Sequence, residues 1–344
     1  MKVSILINNY NYARFVGRAI DSALTQSFRD CEVIVVDDGS TDDSWRVIES
    51  YGSQILALRQ PNGGQGAAYN ALWKAARGEF VLFLDADDCL DHDAIAACVA
   101  AAGSGIASVQ FRLRLIDEDG KPLAGAVPYR MHDGDVRSVV RRFGHYAGPP
   151  GSGNFHRARS IAAAFPLEAA RWRRAADTVP FITAAFSGHI HALRREMGSY
   201  RLHSRRGHGR VPGIFGNIDT SFRDALLAGD NRRNAALEVL RRNTGVEVVG
   251  PFLPLPWSLR MRALSWRMER ARHPYPGDGA RQILRLQRTA LRHWPGYRRL
   301  EKLAMTAWVV VALCAPRALL QRLAATSTSS GARSFVKRLL GAVH

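Results

Sequence analysis

Four short runs rich in β-branched and other apolar residues, Val3–Ile7, Glu32–Val36, Ile55–Leu58 and Phe80–Leu84, are separated by amphipathic stretches at Ala13–Thr25, Asp43–Tyr51 and Ala67–Ala76. Runs this short and this continuously apolar suit strands covered on both faces, and the intervals between them suit crossover helices. The alternation predicts a parallel α/β sheet with right-handed crossovers. Ser40-Thr41-Asp42 offers N-cap residue types before the second helix, and Gly78 closes the third. Asp91–Ala102 reads as a fourth helix, and Ile106–Ile116 as a long strand ending at the turn Asp117-Glu118-Asp119-Gly120.

After that the pattern loosens. Gly148–Gly153 reads as a loop, with helical stretches around 157–165 and 175–187, and Pro251, Pro254 and Pro256 mark a boundary. Three regions are expected: 1–116, 117–250 and a helical extension at 251–344. A short polar linker, Thr326–Gly331, precedes a final basic amphipathic piece, Phe335–Val343.

The formal charge of +18 is unevenly placed. Residues 1–130 carry 12 Lys/Arg against 17 Asp/Glu, whereas 255–344 carry 17 against 3. An acidic front half argues against a nucleic-acid protein, and no nucleic-acid partner is expected. Trp257–Arg272 and Arg281–Leu300 interleave Arg with Leu, Trp and Met, and Leu303–Leu323 joins an apolar run to Arg317 and Arg322. Residues 255–344 therefore suit either an anionic membrane surface or a helical cap with a solvated cationic face. Four cysteines without metal spacing favour a reducing compartment. The 13 residues from Leu303 to Ala315 fall short of the ~20 that a spanning helix needs. The expected location is cytoplasmic, or peripheral on the inner face of the plasma membrane.

Polar residues gather where three strands end. The fourth run closes in Leu84-Asp85-Ala86-Asp87-Asp88, and positions i and i+2 of a strand share a side. Two hard oxygen donors at that edge suit Mg²⁺ or Mn²⁺ shared with phosphate oxygens, or else an acidic helix-capping turn. The second run closes in Asp37-Asp38-Gly39-Ser40, and the first in Asn8-Asn9-Tyr10-Asn11, where Tyr10 offers a stacking face. Asn62-Gly63-Gly64-Gln65-Gly66 precedes a helix, so its amides face either a diphosphate or nothing more than a turn. An aspartyl-phosphate enzyme also uses Asp-x-Asp after a strand, but the Thr/Ser and Lys partners it needs are not evident.

Taken in order, Val3–Asn11, Val36–Asp42, Asn62-x-Gly64 with Asn70, and Asp85-Ala86-Asp87-Asp88 resemble the family 2 glycosyltransferases of GT-A fold. The resemblance implies a Rossmann-like, mostly parallel sheet sandwiched by helices, with a nucleotide-sugar-binding region at 1–116, an acceptor-side region at 117–250 and a C-terminal helical extension. It implies an inverting, metal-dependent transfer of a sugar from a nucleoside-diphosphate sugar to a hydroxyl of a glycan or lipid-linked acceptor, in cell-envelope or exopolysaccharide assembly. By the same resemblance Asn8, Tyr10 and Asp38 contact the base, Asn70 and Asp85 belong to the nucleotide-sugar site, and Asp87 with Asp85 holds Mg²⁺ or Mn²⁺. Asp177 has the place of the general base. Tyr200-Arg201-Leu202-His203 resembles an element that sends Arg201 to the nucleotide sugar and His203 to the metal. Asn8-Asn9 stands where a Pro-Thr pair is common, and no Gln-x-x-Arg-Trp of processive members occurs, which favours single addition. The rival reading is a non-catalytic basic membrane-surface or nucleic-acid-binding module on a degenerate scaffold.

Overall fold

A computed structural model describes residues 2–203, 221–316 and 318–320. The expected linker at 326–331 and the terminal piece at 335–343 lie outside the described residues.

The apolar runs become β1 (Val3–Asn9), β2 (Cys31–Asp37), β3 (Leu56–Arg59) and β4 (Phe80–Asp85), and the intervals become α1 (Ala13–Leu24), α2 (Ser44–Glu49) and α3 (Gln65–Ala75). β5 (Cys89–Leu90) and α4 (Ala94–Ala101) follow, then β6 (Ile106–Ile116), β7 (Pro122–Val127), α5 (Arg137–Phe143), β8 (Asn154–Arg157), α6 (Ala158–Ile161), α7 (Thr178–Ser187) and β9 (His189–Arg201). The remaining helices are α8 (Phe222–Thr244), α9 (Ser258–Met268), α10 (Ala280–His293) and α11 (Arg299–Cys314).

The strands form one sheet in the order β3-β2-β1-β4-β8-β6-β9-β5, with β7 on β6. β3, β2, β1 and β4 run parallel, as the alternation requires, while β8 enters antiparallel between β4 and β6. Side-chain alternation sends Ile5, Ile7, Val35, Leu82 and Leu84 into a core with Val16 and Ile20 of α1 and Ile95 and Cys98 of α4. On the other face Tyr69 of α3 stacks on Phe83 of β4, with centroids 4.2 Å apart. Each such buried Ile or Leu contributes about 1.5–3 kcal/mol of burial free energy. Helices on both faces make the carboxyl ends of β2, β1 and β4 the open edge, where α/β sheets bind ligands.

Contacts divide the chain into two compact units: residues 1–140, 146–201 and 235–248, and residues 141–145, 202–234 and 249–344. In the second, α9, α10 and α11 pack on one another. Trp294 sits edge-on to both Phe143 and Trp257, and buried Asp278 accepts hydrogen bonds from Arg262 and pairs with His273.

Candidate active site

Strand register brings the polar tips together. Asn9 lies beside Asp37 across β1 and β2, and Asn8 lies beside Asp85 across β1 and β4. Asn9 donates through Nδ2 to Asp37 (2.9 Å) and to Ser40 Oγ (3.2 Å), and the Ser40 hydroxyl donates in turn to Asp37. The loop after β1 is zipped to the loop after β2: Asn11 N donates to Ser40 Oγ, Thr41 N to Asn11 Oδ1, and Ala13 N to Asp42 Oδ2. Ser40 and Asp42 thus hold the first loop; only Asp42, which accepts from Ser44 N, also serves the start of α2. Tyr10 is left 45% exposed at the rim, a free stacking face.

The glycine-rich segment is not a phosphate cradle. Gly63 N and Gln60 Nε2 donate to Asp38 Oδ1 at 2.9 and 2.7 Å, and Gly64 N donates to Asp38 Oδ2 at 2.7 Å. Gln65 N and Gly66 N go to the carbonyls of Arg173 and Trp172. The amides that a diphosphate needs are therefore consumed within the chain, which favours the turn of the two readings: the loop is a strut between Asp38 and the segment leading to Asp177. Gly64 has φ +84°, and a Cβ there would lie 2.7 Å from Arg173 Cα; at Gly66 it would lie 2.9 Å from the Trp172 carbonyl oxygen. Ala175 is held at φ +55°, a costly value for a residue with a Cβ, while the next amide, Ala176 N, donates to Gln65 Oε1 at 2.9 Å. Asp177 follows at the head of α7, and its carboxylate makes no capping bond to that helix.

Four carboxylates crowd the tip of β4. Burial, then the negative charges of Asp87 and Asp177, push Asp85 up to about 7, against a lowering hydrogen bond from Asn8. Asp88 is buried and likewise raised, first by burial and then by Asp87 and Asp85. Ser152 ties this turn to the 148–153 loop, donating to Asp88 Oδ2 at 2.6 Å and accepting from Asp85 N at 3.1 Å. Tyr69 and Tyr200 flank the cluster; both phenols are pushed up by burial and by the charges of Asp85 and Asp177. Gly151 approaches both groups, since a Cβ there would sit 3.4 Å from Tyr69 Oη and 3.6 Å from Asp177 Oδ2.

Asn70 and Arg201, both expected at the nucleotide sugar, have their side chains engaged by partners within the chain. Asn70 gives both ends of its amide to Leu167, donating to its carbonyl (2.8 Å) and accepting from its N–H (2.7 Å). Arg201 is 2% exposed. Its Nε donates to the Asp87 carbonyl and its Nη1 to those of Asp117 and Glu118, while its N–H reaches Asp88 and its guanidinium lies over Phe15. His203 lies half-buried two residues past β9. The sequence alone assigns no role to Asp88, Ser152 or Tyr69; the Asp-Asp pair and the Gly-Ser-Gly segment are the available signals for the first two.

Among the described residues no three His, Cys, Asp or Glu side chains gather as a metal-holding group. The donor set nonetheless fits a divalent ion that takes the rest of its ligands from phosphate. Asp85 and Asp87 carry the hard oxygens such an ion prefers, and beside burial the charges of Asp87 and Asp177 raise Asp85, an excess of negative charge that a bound cation would relieve. A separate cavity of about 430 Å³ opens at the opposite ends of the strands, beside Cys31–Ile34 and Ser53–Leu56, and shares none of these residues.

A family model described as glycosyl transferase family 2 matches residues 4–196. An uncharacterized glycosyltransferase of Nostoc sp. is 38% identical over 216 residues, 60% of this chain and 67% of that protein. Chondroitin synthase of Pasteurella multocida is 38% identical over 127 residues, 36% of this chain and only 13% of the synthase. Among solved structures, residues 1–349 of S. aureus TarS in complex with UDP-GlcNAc align with a TM-score of 0.52 at 17% identity, over 97% of this chain and 92% of that one. At that identity the likeness concerns the fold.

Proposed function

The chain belongs to glycosyl transferase family 2, and from that membership we propose a metal-dependent, inverting transfer of one sugar from a nucleoside-diphosphate sugar to a hydroxyl acceptor. The observation that carries this reading is the buried Asp85 at the tip of β4, beside Asn8 of β1 and close enough to Asp87 and Asp177 to feel both charges. A base stacks on exposed Tyr10, with Asn8 at its edge. Asp38 uses three acceptor positions on the 60–64 loop and retains capacity for one N–H of the base. Asp87, with Asp85, would hold Mg²⁺ or Mn²⁺. Such an ion, when bound, supplies charge neutralisation for the departing diphosphate.

Asp177 accepts the acceptor's proton as its hydroxyl attacks the anomeric carbon opposite the diphosphate, and attack from that side inverts the centre. A positioned base contributes about 10²–10⁴-fold. Asp177→Asn is expected to leave donor affinity, measured by calorimetry with Mn²⁺, within about twofold while turnover falls by that factor. Wild-type turnover in the variant rejects the role. The TarS complex with UDP-GlcNAc supports a nucleotide-sugar donor, and the chondroitin synthase likeness supports polysaccharide assembly. In this reading the acceptor is a glycan or lipid-linked chain met at the inner face of the plasma membrane.

A further inference from the structure

α10 turns a continuous cationic stripe outward. Ile283, Ala290 and Leu291 are buried, whereas Arg281, Arg285, Arg288 and Arg292 are exposed at a spacing that sets them on one face. No acidic residue occurs from Gly279 to Leu300, so the stripe is not neutralised within its own segment. α11 packs against α10 in the same compact unit and turns a different chemistry outward. Leu300 is 77% exposed and Leu303 65%, and Val310 and Val311 continue the same apolar row, while Val309, Ala312 and Leu313 face inward. At the connection between the two helices Arg292, Arg298, Arg299 and Leu300 are all exposed. Among the described residues no helix is long and apolar enough to cross a membrane. α11, about 24 Å long with one side packed, suits lying in an interface.

We propose that the α10–α11 face docks on an anionic lipid bilayer, with the α10 arginines on headgroups and the α11 row at the acyl boundary. This gives a surface to the membrane location in the function proposed above, and it rests on that location. A bilayer is the partner whose layered chemistry matches both rows. A second copy would set like-charged stripes against each other, and a nucleic acid would leave Leu300 and Leu303 in water.

The test is flotation of the full chain with phosphatidylcholine vesicles, with and without about 30% phosphatidylglycerol, at about 50 and about 500 mM salt. The wild type is expected to float with the anionic vesicles at low salt and to be largely released at high salt. The triple variant Arg285→Glu/Arg288→Glu/Arg292→Glu is expected to bind at least about 100-fold more weakly, since each arginine near such a surface is worth about fivefold. Leu300→Gln/Leu303→Gln is expected to weaken binding while leaving circular dichroism unchanged, because both side chains are exposed. Absence of wild-type binding at low salt, or equal binding by the charge-reversed chain, overturns the proposal. So does wild-type binding to a single-stranded RNA that displaces it from the vesicles. Affinity for sugar nucleotides, measured on the same samples, tests the donor site separately and is expected to be the same in all variants.

Discussion

At the scale of single residues, the β4 tip trades stability for charge. Asp85 titrates in the folded chain near 7 rather than near the usual carboxylate value, because burial and two neighbouring carboxylates oppose its ionisation. A carboxyl whose folded pKa is raised stabilises the fold while protonated. That contribution is complete below about pH 4 and is lost as pH rises through about 7. The metal-free protein is therefore expected to lose thermal stability from this group between those limits, and Asp85→Asn to flatten that slope while abolishing metal-dependent donor binding. Melting temperatures at pH 5 and pH 8, with and without Mn²⁺, check both halves. Identical slopes in the two proteins would remove Asp85 as the cause. Sites that gather like charge for a ligand commonly carry such a cost.

At the scale of elements, the strut from Asp38 to Asp177 depends on two glycines. Gly66→Ala places a methyl 2.9 Å from Trp172 Cβ and from its carbonyl oxygen. Crowding of this kind costs about 1–3 kcal/mol. Displacing the approach to Asp177 by an ångström costs up to about 10² in turnover. Urea unfolding and steady-state kinetics are expected to show both losses, with donor affinity changing less because Asp38 is held by Gly63 and Gly64 instead. Such a strut was beyond reach of the sequence, which shows the glycines but not which carbonyls they meet. β1, β2 and β4 were legible because their apolar runs are unbroken. β9 was missed because Arg194, Arg195 and Glu196 interrupt its pattern at a shift in register with β6, where both faces of the strand turn polar. Asn70 and Arg201 occupy familiar motif positions, yet spacing along a chain does not fix where a side chain turns. Their partners, Leu167 for one and the 117–118 carbonyls for the other, are distant in sequence.

For the whole molecule, acid stability is bounded from the other side. His156, on β8 in the middle of the sheet, is 2% exposed, and burial pushes it down to about 3. An imidazole buried neutral stabilises the fold above its unfolded pKa near 6.5, and that contribution is lost as pH falls toward 3. His156→Leu is expected to narrow the gap in urea midpoint between pH 7 and pH 4. An unchanged gap would assign acid sensitivity elsewhere. Asp85 acts in the opposite sense over much of the same range, so the two groups largely offset each other between about pH 4 and 6.5, and their joint optimum in the metal-free chain lies on the acidic side of neutrality. The shared support of Asp38 and Asp177 also sets a rule for exchanging parts among relatives. A chimaera that imports only the strand tips of another family member would leave Asp177 hanging from a foreign hinge, so segments 60–66 and 172–177 have to be transplanted as a pair.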